Sequence, residues 1–312
     1  APNGDQLAAS GFNRLHLIID RGPALPEESF FKNVVDRVTA VGTAFMGMSV
    51  HCASCHDHKY DPLTQKDFYS LFAFFNNIEA APETNGGEKN GLQPPTARLG
   101  TADQQKKLAE VSAGIKKLDP LVQDAKKIAL NEKDAKKKKE LMQKARDLVS
   151  KKNVLVRQNN ELSRFMKTAM VMRERSEVRK TFLRKRGQYD DPGEEVQRNT
   201  PAFFPAMKKK GDVATRRDLA EWFIDRRNPL TARVAVNRFW QQFFGVGLVK
   251  TSEDLGTQGE LPSHPELLDH LTVSFIESGW DIKALVRSLV LSKTYRQSSG
   301  ASPAEFTKDP EN

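Results

Sequence analysis

Cysteine is nearly absent. Two occur in 312 residues, too few for a disulfide-stapled scaffold. Long apolar runs are missing as well. The apolar run Val41–Val50 falls far short of the ~20 residues that span a bilayer, which excludes an integral membrane segment in this chain. Ala1–Ser10 lacks the basic-then-apolar pattern of an export signal. No glycine falls between Gly114 and Gly187, and Thr101–Phe165 has almost no aromatics. Single-strand nucleic-acid binders need such rings to stack on bases, so no nucleic-acid partner is expected.

What is present points to a mainly α protein of more than one packing unit, since ~150 residues make a typical domain. Hydrophobic residues make up 38% of the chain, enough for real cores, while 29% charged residues and a mean hydropathy of −0.58 require much solvated surface. Basic residues outnumber acidic ones 49 to 40, which permits an acidic partner without identifying one. Most of that excess sits in Thr101–Phe165, where 17 Lys/Arg face 9 Asp/Glu. The segment is built from good helix formers, and Leu108, Val111, Ile115 and Leu118 have the spacing of a two-helix seam. Asp119-Pro120 is read as a cap that restarts the helix, and 131–134 as the turn of an antiparallel hairpin projecting from the body.

Four segments follow. Residues 1–100 are expected to form a helical domain holding both cysteines, and 101–168 the basic hairpin. Residues 169–205 form a small β-ribbon and linker, and 206–312 an incomplete C-terminal helical domain. The ribbon is expected in Lys167–Gly187, where β-branched and aromatic residues alternate roughly, with Asp190-Asp191-Pro192-Gly193 as its turn. From Arg216 onward the pattern is helical again, with Leu219, Trp222 and Phe223 on one face, Val234 to Phe243 on the next, and further helices at Leu267–Phe275 and Ile282–Leu291.

Both cysteines fall in one cluster, His51-Cys52-Ala53-Ser54-Cys55-His56-Asp57-His58. Cys52-x-x-Cys55-His56 is the attachment pattern of c-type haem, so residues 1–100 are expected to be a cytochrome c-like haem-binding domain. Two thiols three residues apart reach the two vinyl groups on one porphyrin edge as thioethers, and the next imidazole takes the proximal iron position. The surroundings suit a pocket. Pro26-Glu27-Glu28 starts a helix whose apolar residues, Phe31, Val34, Val38, Val41, Phe45 and Met48, lead into the cysteines. Beyond them, Thr64-x-x-Asp67 resembles a capping box, and Phe68, Tyr69, Leu71, Phe72, Phe74 and Phe75 crowd one helix. Taken alone, such a stripe is ordinary core. Three rivals stay open for the cluster: a zinc site using Cys52, Cys55 and His56 or His58, a redox CxxC, which wants a βαβ context, and a structural disulfide.

For the opposite iron position the candidates are His16, Met46, Met48, His51 and His58. His51 and His58 lie too near the attachment point to reach the far face, and a surface role is expected of both. Met46 and Met48 are expected to pack within their helix. His16, ahead of the first long helix, has the freedom to fold over the distal face.

With these residues identified, the stretch "GFNRLHLIIDRGPALPEE … VVDRVTAVGTAFMGMSVHCASCHDHKYDPLTQKDFYSLFAFFNNIE" closely resembles the planctomycete cytochrome-like domain with its CxxCHDHKxDP signature. The stretch "RRDLAEWFIDRRNPLTARVAVNRFWQQFFGVGLVKTSEDLGTQGELPSHPELLDHL" resembles the second planctomycete-specific domain that usually follows. The likeness covers about Gly11–Glu79 and Arg216–Ser299, with the basic hairpin as a variable insertion. It departs at Gly22-Pro23-Ala24, where a glycine pair is usual, and at His51, where a small residue is. The resemblance implies haem c on Cys52, Cys55 and His56, and it sets Arg14 and His16 on the family's Arg-x-His. From that match His16 is expected as the second axial ligand, with Arg14 pairing with a haem propionate. It further implies that this chain is part of a large exported protein, periplasmic or extracellular, with an export signal upstream of Ala1.

The leading expectation is therefore a c-type cytochrome module that passes electrons to a protein partner, or supports a haem-based oxidation, within a larger assembly. The hairpin's charge would dock to an acidic partner or surface. Two alternatives belong to other classes. One is a structural or binding module stapled by haem or zinc, whose arms contact protein or glycan. The other is a haem peroxidase-like enzyme with an open iron position and a distal acid–base group.

Overall fold

The computed structural model describes residues 4–14, 25–79, 92, 94–298, 300 and 302–308. The protein is mainly helical, with two small antiparallel sheets among the described residues. None of its described helices is long and apolar enough to cross a membrane. The chain divides into two compact units, one from residues 1–15 and 87–173, the other from 16–86 and 174–312. Contact thus groups the N-terminal residues with the hairpin, and the cysteine segment with the C-terminal helices.

The first unit holds α1 (Gly4–Ala9). Next come β1 (Thr96–Leu99) and the hairpin helices α4 (Ala102–Asn131) and α5 (Ala135–Arg164), then β2 (Lys167–Met170); α2 and α3 lie between in sequence. A Thr101–Gln104 capping box starts α4, and Asp134 accepts from the Lys136 and Lys137 amides to start α5. Ser112 Oγ donates to Asn159 Oδ1 (3.2 Å), and Lys152 pairs with Asp119, so the arms run antiparallel. Pro120 does not restart the helix. It lies inside α4, where the missing amide strips Lys116 of its bonding partner. Both residues face solvent, where water can satisfy the freed carbonyl. Lys167–Met170 departs from the expected ribbon too, because it pairs with Thr96–Leu99 from Leu99↔Lys167 to Thr96↔Met170.

The second unit begins with α2 (Pro26–Val41), which widens into a π-helical turn at Gly42–Met46, and α3 (Gln65–Phe75). The Thr64–Asp67 capping box forms as the sequence implies. The ribbon consists of β3 (Thr181–Arg184) and β4 (Pro192–Val196), so Pro192-Gly193 opens a strand and the turn is made by 185–191. The helices α6 (Arg216–Phe223), α7 (Thr231–Phe244), α8 (Pro265–Glu277) and α9 (Ile282–Leu291) follow, then α10 (Pro303–Lys308). Ala232, Val236, Leu268, Phe275, Leu285 and Leu289 form one buried cluster among these helices. Val34, Val38, Phe68, Tyr69, Phe72 and Phe74 are among the buried residues of α2 and α3.

The C-terminal helices hold the end of α2 directly. A π-helical turn leaves carbonyls without their usual partners, and Arg238 on α7 donates to those of Thr43 (2.8 Å) and Ala44 (3.2 Å). Gly47 then reverses the chain at φ +56, its carbonyl accepting from the Leu255 amide at 2.6 Å. A side chain here would be strained in φ, and its Cβ would come within 2.8 Å of Val234 Cγ2.

Candidate functional site

Val50–Ser54 is a 3₁₀ turn, with Cys55 continuing it in αR conformation. Side chains three residues apart eclipse in such a turn. Val50 and Ala53 therefore share the inward face, both fully buried, and Cys52 and Cys55 share the outward one. Both thiols are exposed and free.

The two histidines that follow are held in opposite tautomers. His56, exposed, has Nδ1 2.6 Å from the Asp57 carbonyl. A carbonyl only accepts, so Nδ1 carries the proton and Nε2 keeps its lone pair. His58 has Nδ1 2.9 Å from the Asp61 amide, which only donates, so here Nδ1 holds the lone pair. Its Nε2–H then donates to Ser49 Oγ at 3.3 Å. The His58 side chain is only 4% exposed, so the surface role expected of it does not hold. His51 is at the surface as expected, its Nδ1 3.3 Å from Thr39 Oγ1.

The acidic residues of the cluster act as anchors. Asp57 Oδ1 accepts from the Gln65 amide (2.7 Å) at the start of α3, where the helix dipole favours a carboxylate. Asp61, buried, accepts with Oδ1 from the Thr257 amide (2.8 Å) and hydroxyl (2.9 Å). The Ser54 carbonyl, next to Cys55, accepts from Tyr69 Oη (2.9 Å) and Gln65 Nε2 (3.1 Å), and Gln65 Nε2 also donates to the Arg184 carbonyl at 2.8 Å. Burial pushes the Tyr69 phenol well above its ordinary pKa; negative charge on Cys55 adds to this and Arg184 opposes it. Tyr69 therefore stays a proton donor to Ser54. The ribbon turn closes on the same spot. Gly187, at φ +72, lies so near that a Cβ there would be 2.6 Å from Cys55 Sγ.

Of the residues singled out from the sequence, Cys52, Cys55 and His56 lie together on one exposed turn. His16 lies outside the described residues. Arg14 is described, in the first unit and 1% exposed. Its guanidinium donates to the carbonyls of Pro94 (3.1 Å), Pro95 (3.4 Å) and Val171 (3.2 Å), tying the N-terminal segment to the β1–β2 pair. Met46 and Met48 are core residues. Among the described residues no three His, Cys, Asp or Glu side chains gather to hold a metal ion. The Ser54 clamp made by Tyr69 and Gln65, and the Gly187 contact, escaped the sequence reading. Their only trace was the aromatic-rich sequence of α3.

Compared with known families, residues 1–80 match PSCyt2, a protein of unknown function (DUF1549). Residues 215–312 match PSD1, a protein of unknown function (DUF1553). Both are planctomycete-type families, which fits the second domain that the sequence resemblance implies, and no CxxCH cytochrome family matches. No curated protein matches the chain, and no solved structure does.

Proposed function

We propose that the Cys52–His56 turn is a covalent haem attachment site and that the chain is the c-type cytochrome module of an exported protein. The observation that carries this is the His56 tautomer beside two free thiols. With Nδ1–H held by the Asp57 carbonyl, Nε2 presents the lone pair that an iron takes, and the hydrogen bond on the other nitrogen fixes the ring. Cys52 and Cys55 share one exposed face, as two thioethers to one porphyrin edge require. The donor set fits the group. Haem bound there supplies reversible one-electron exchange, and the chain's residues orient the imidazole and brace the turn through Ser54, Asp57 and Asp61. His16 is the proposed ligand on the opposite face; bis-histidine ligation gives a lower potential than histidine with methionine. Because thioether haem is assembled on the oxidising side of a membrane, the parent protein is proposed to be periplasmic or extracellular, passing electrons to a protein partner.

Intact mass of the natively expressed protein tests the attachment. A gain of one haem, retained after acid–acetone extraction, is expected, with a low-spin spectrum that turns high-spin in His16→Ala. A mass without the increment, or zinc in place of iron on metal analysis, refutes the attachment. An unchanged low-spin spectrum in His16→Ala refutes the assignment of the second ligand alone.

A further inference from the structure

A cleft of about 510 Å³ opens between the start of α2, α3, the 175–182 segment and the ribbon. That volume is within the roughly 300–1,000 Å³ typical of small-molecule and cofactor sites. Its wall is aromatic. Phe31 packs against Phe72 with ring centroids 5.5 Å apart, and Phe30 lies under the Arg179 guanidinium at 4.2 Å. Its rim is cationic, with Arg175, Arg179 and Arg184 all lining it.

These three arginines converge on one cleft. Several cations of the unit are paired, including Lys180 with Glu195 at 3.2 Å and Arg198 with Glu174 at 3.3 Å. Arg175, Arg179 and Arg184 have no acidic partner among the described residues, and one carboxylate, Glu27, lines the cleft with them. Burial lowers the Arg179 pKa, and the positive charge of Arg175 lowers it further. Like charges have been gathered at a cost that an anion would offset.

Two residues, Tyr69 and Gln65, connect the lining of the cleft to the cysteine turn. Phe31 stacks on Tyr69 (6.5 Å), whose hydroxyl reaches the Ser54 carbonyl. The Arg184 carbonyl is bridged to that same Ser54 carbonyl through Gln65 Nε2. Gly187, three residues after Arg184, touches Cys55 Sγ.

We propose that this cleft receives the carboxylate-bearing edge of the macrocycle attached at Cys52 and Cys55, with Arg175, Arg179 and Arg184 neutralising its two propionates. The inference rests on the haem reading above and assigns to these arginines the role that the sequence alone suggests for Arg14. A porphyrin joins a flat apolar body to two carboxylates on the side away from its vinyl groups. Aromatic wall and unpaired guanidinium rim match the two parts, and arginine's planar fork suits a carboxylate bidentately.

The test is the haem-loaded protein with Arg175→Gln and Arg179→Gln combined, read by intact mass and by midpoint potential. Haem stays covalently attached, and the potential falls, because loss of nearby positive charge favours the ferric state. Arg226→Gln removes a surface cation paired with Glu277 and serves as control, with no shift expected. An unchanged potential in the double variant, or an equal fall in the control, overturns the proposal. If the double variant does not accumulate, Arg175→Gln alone, at an exposed position, gives a smaller fall of the same sign, and no fall overturns the proposal equally. Absence of haem from the parent protein refutes the attachment itself and is recognised by mass before any variant is made.

Discussion

Helices α4 and α5 have thirty residues each, yet α4 buries only Val122 and Ala129, and α5 only Ala145 and Ser163. Helix α3 has eleven residues and buries nine of them. The long arms are held by helix propensity, by a side-chain cap at each start and by a narrow seam of half-buried residues such as Leu108, Val111 and Ile115. The short helix has a weaker claim to helicity by composition and is held by what surrounds it. The first kind of helix tolerates substitution almost anywhere along its length. The second transmits any change to its neighbours, and in this protein those neighbours carry the cysteines.

The largest expected contrast comes from truncating one side chain in each unit. Phe74 is fully buried, and Phe74→Ala is expected to cost about 3–5 kcal/mol. Ile115 is half-buried in the arm seam, and Ile115→Ala is expected to cost about 1 kcal/mol. Urea unfolding of both variants measures this, and equal losses would break the comparison. Next in size is Asp61→Ala, which leaves the buried acceptor site of Thr257 empty, at about 1–3 kcal/mol. Hydrogen exchange at the Thr257 amide should accelerate while exchange in α4 and α5 does not change. Protection retained at Thr257 would show that Asp61 is not the anchor. The smallest effect has the opposite sign. Pro120→Ala restores an amide inside α4 and is expected to stabilise the arm by about 1–2 kcal/mol. That is below the roughly 3 kcal/mol separating the two residues in a helix interior, because Lys116 already faces water. A loss of helix signal would contradict the continuous α4.

Much of this architecture is legible residue by residue. The 3-and-4 spacing from Phe31 to Val41, the Thr64–Asp67 box and the arm seam are local patterns, and local patterns become helices here. Pro120 misleads because its penalty is counted from the helix interior, whereas its exposure is a tertiary fact. Lys167–Met170 finds its partner about seventy residues upstream, a pairing that no local alternation encodes. Cys52, Cys55 and His56 stand out by spacing alone, but the opposite tautomers of His56 and His58 depend on which backbone group each ring meets. The arginine cleft was hidden for a related reason. In sequence, Arg175, Arg179 and Arg184 look like the solvated edge of a ribbon, and only folding against Phe30 and Phe31 turns them into a lined site.

The hydrogen bonds from Thr257 to Asp61, from Leu255 to Gly47 and from Arg238 to Thr43 and Ala44 have a consequence for inheritance. Each joins a residue of the segment matched over 1–80 to one matched over 215–312. A gene that lost either segment would strand a buried carboxylate or a row of open carbonyls in the other, so the two segments are expected to be inherited as one cassette.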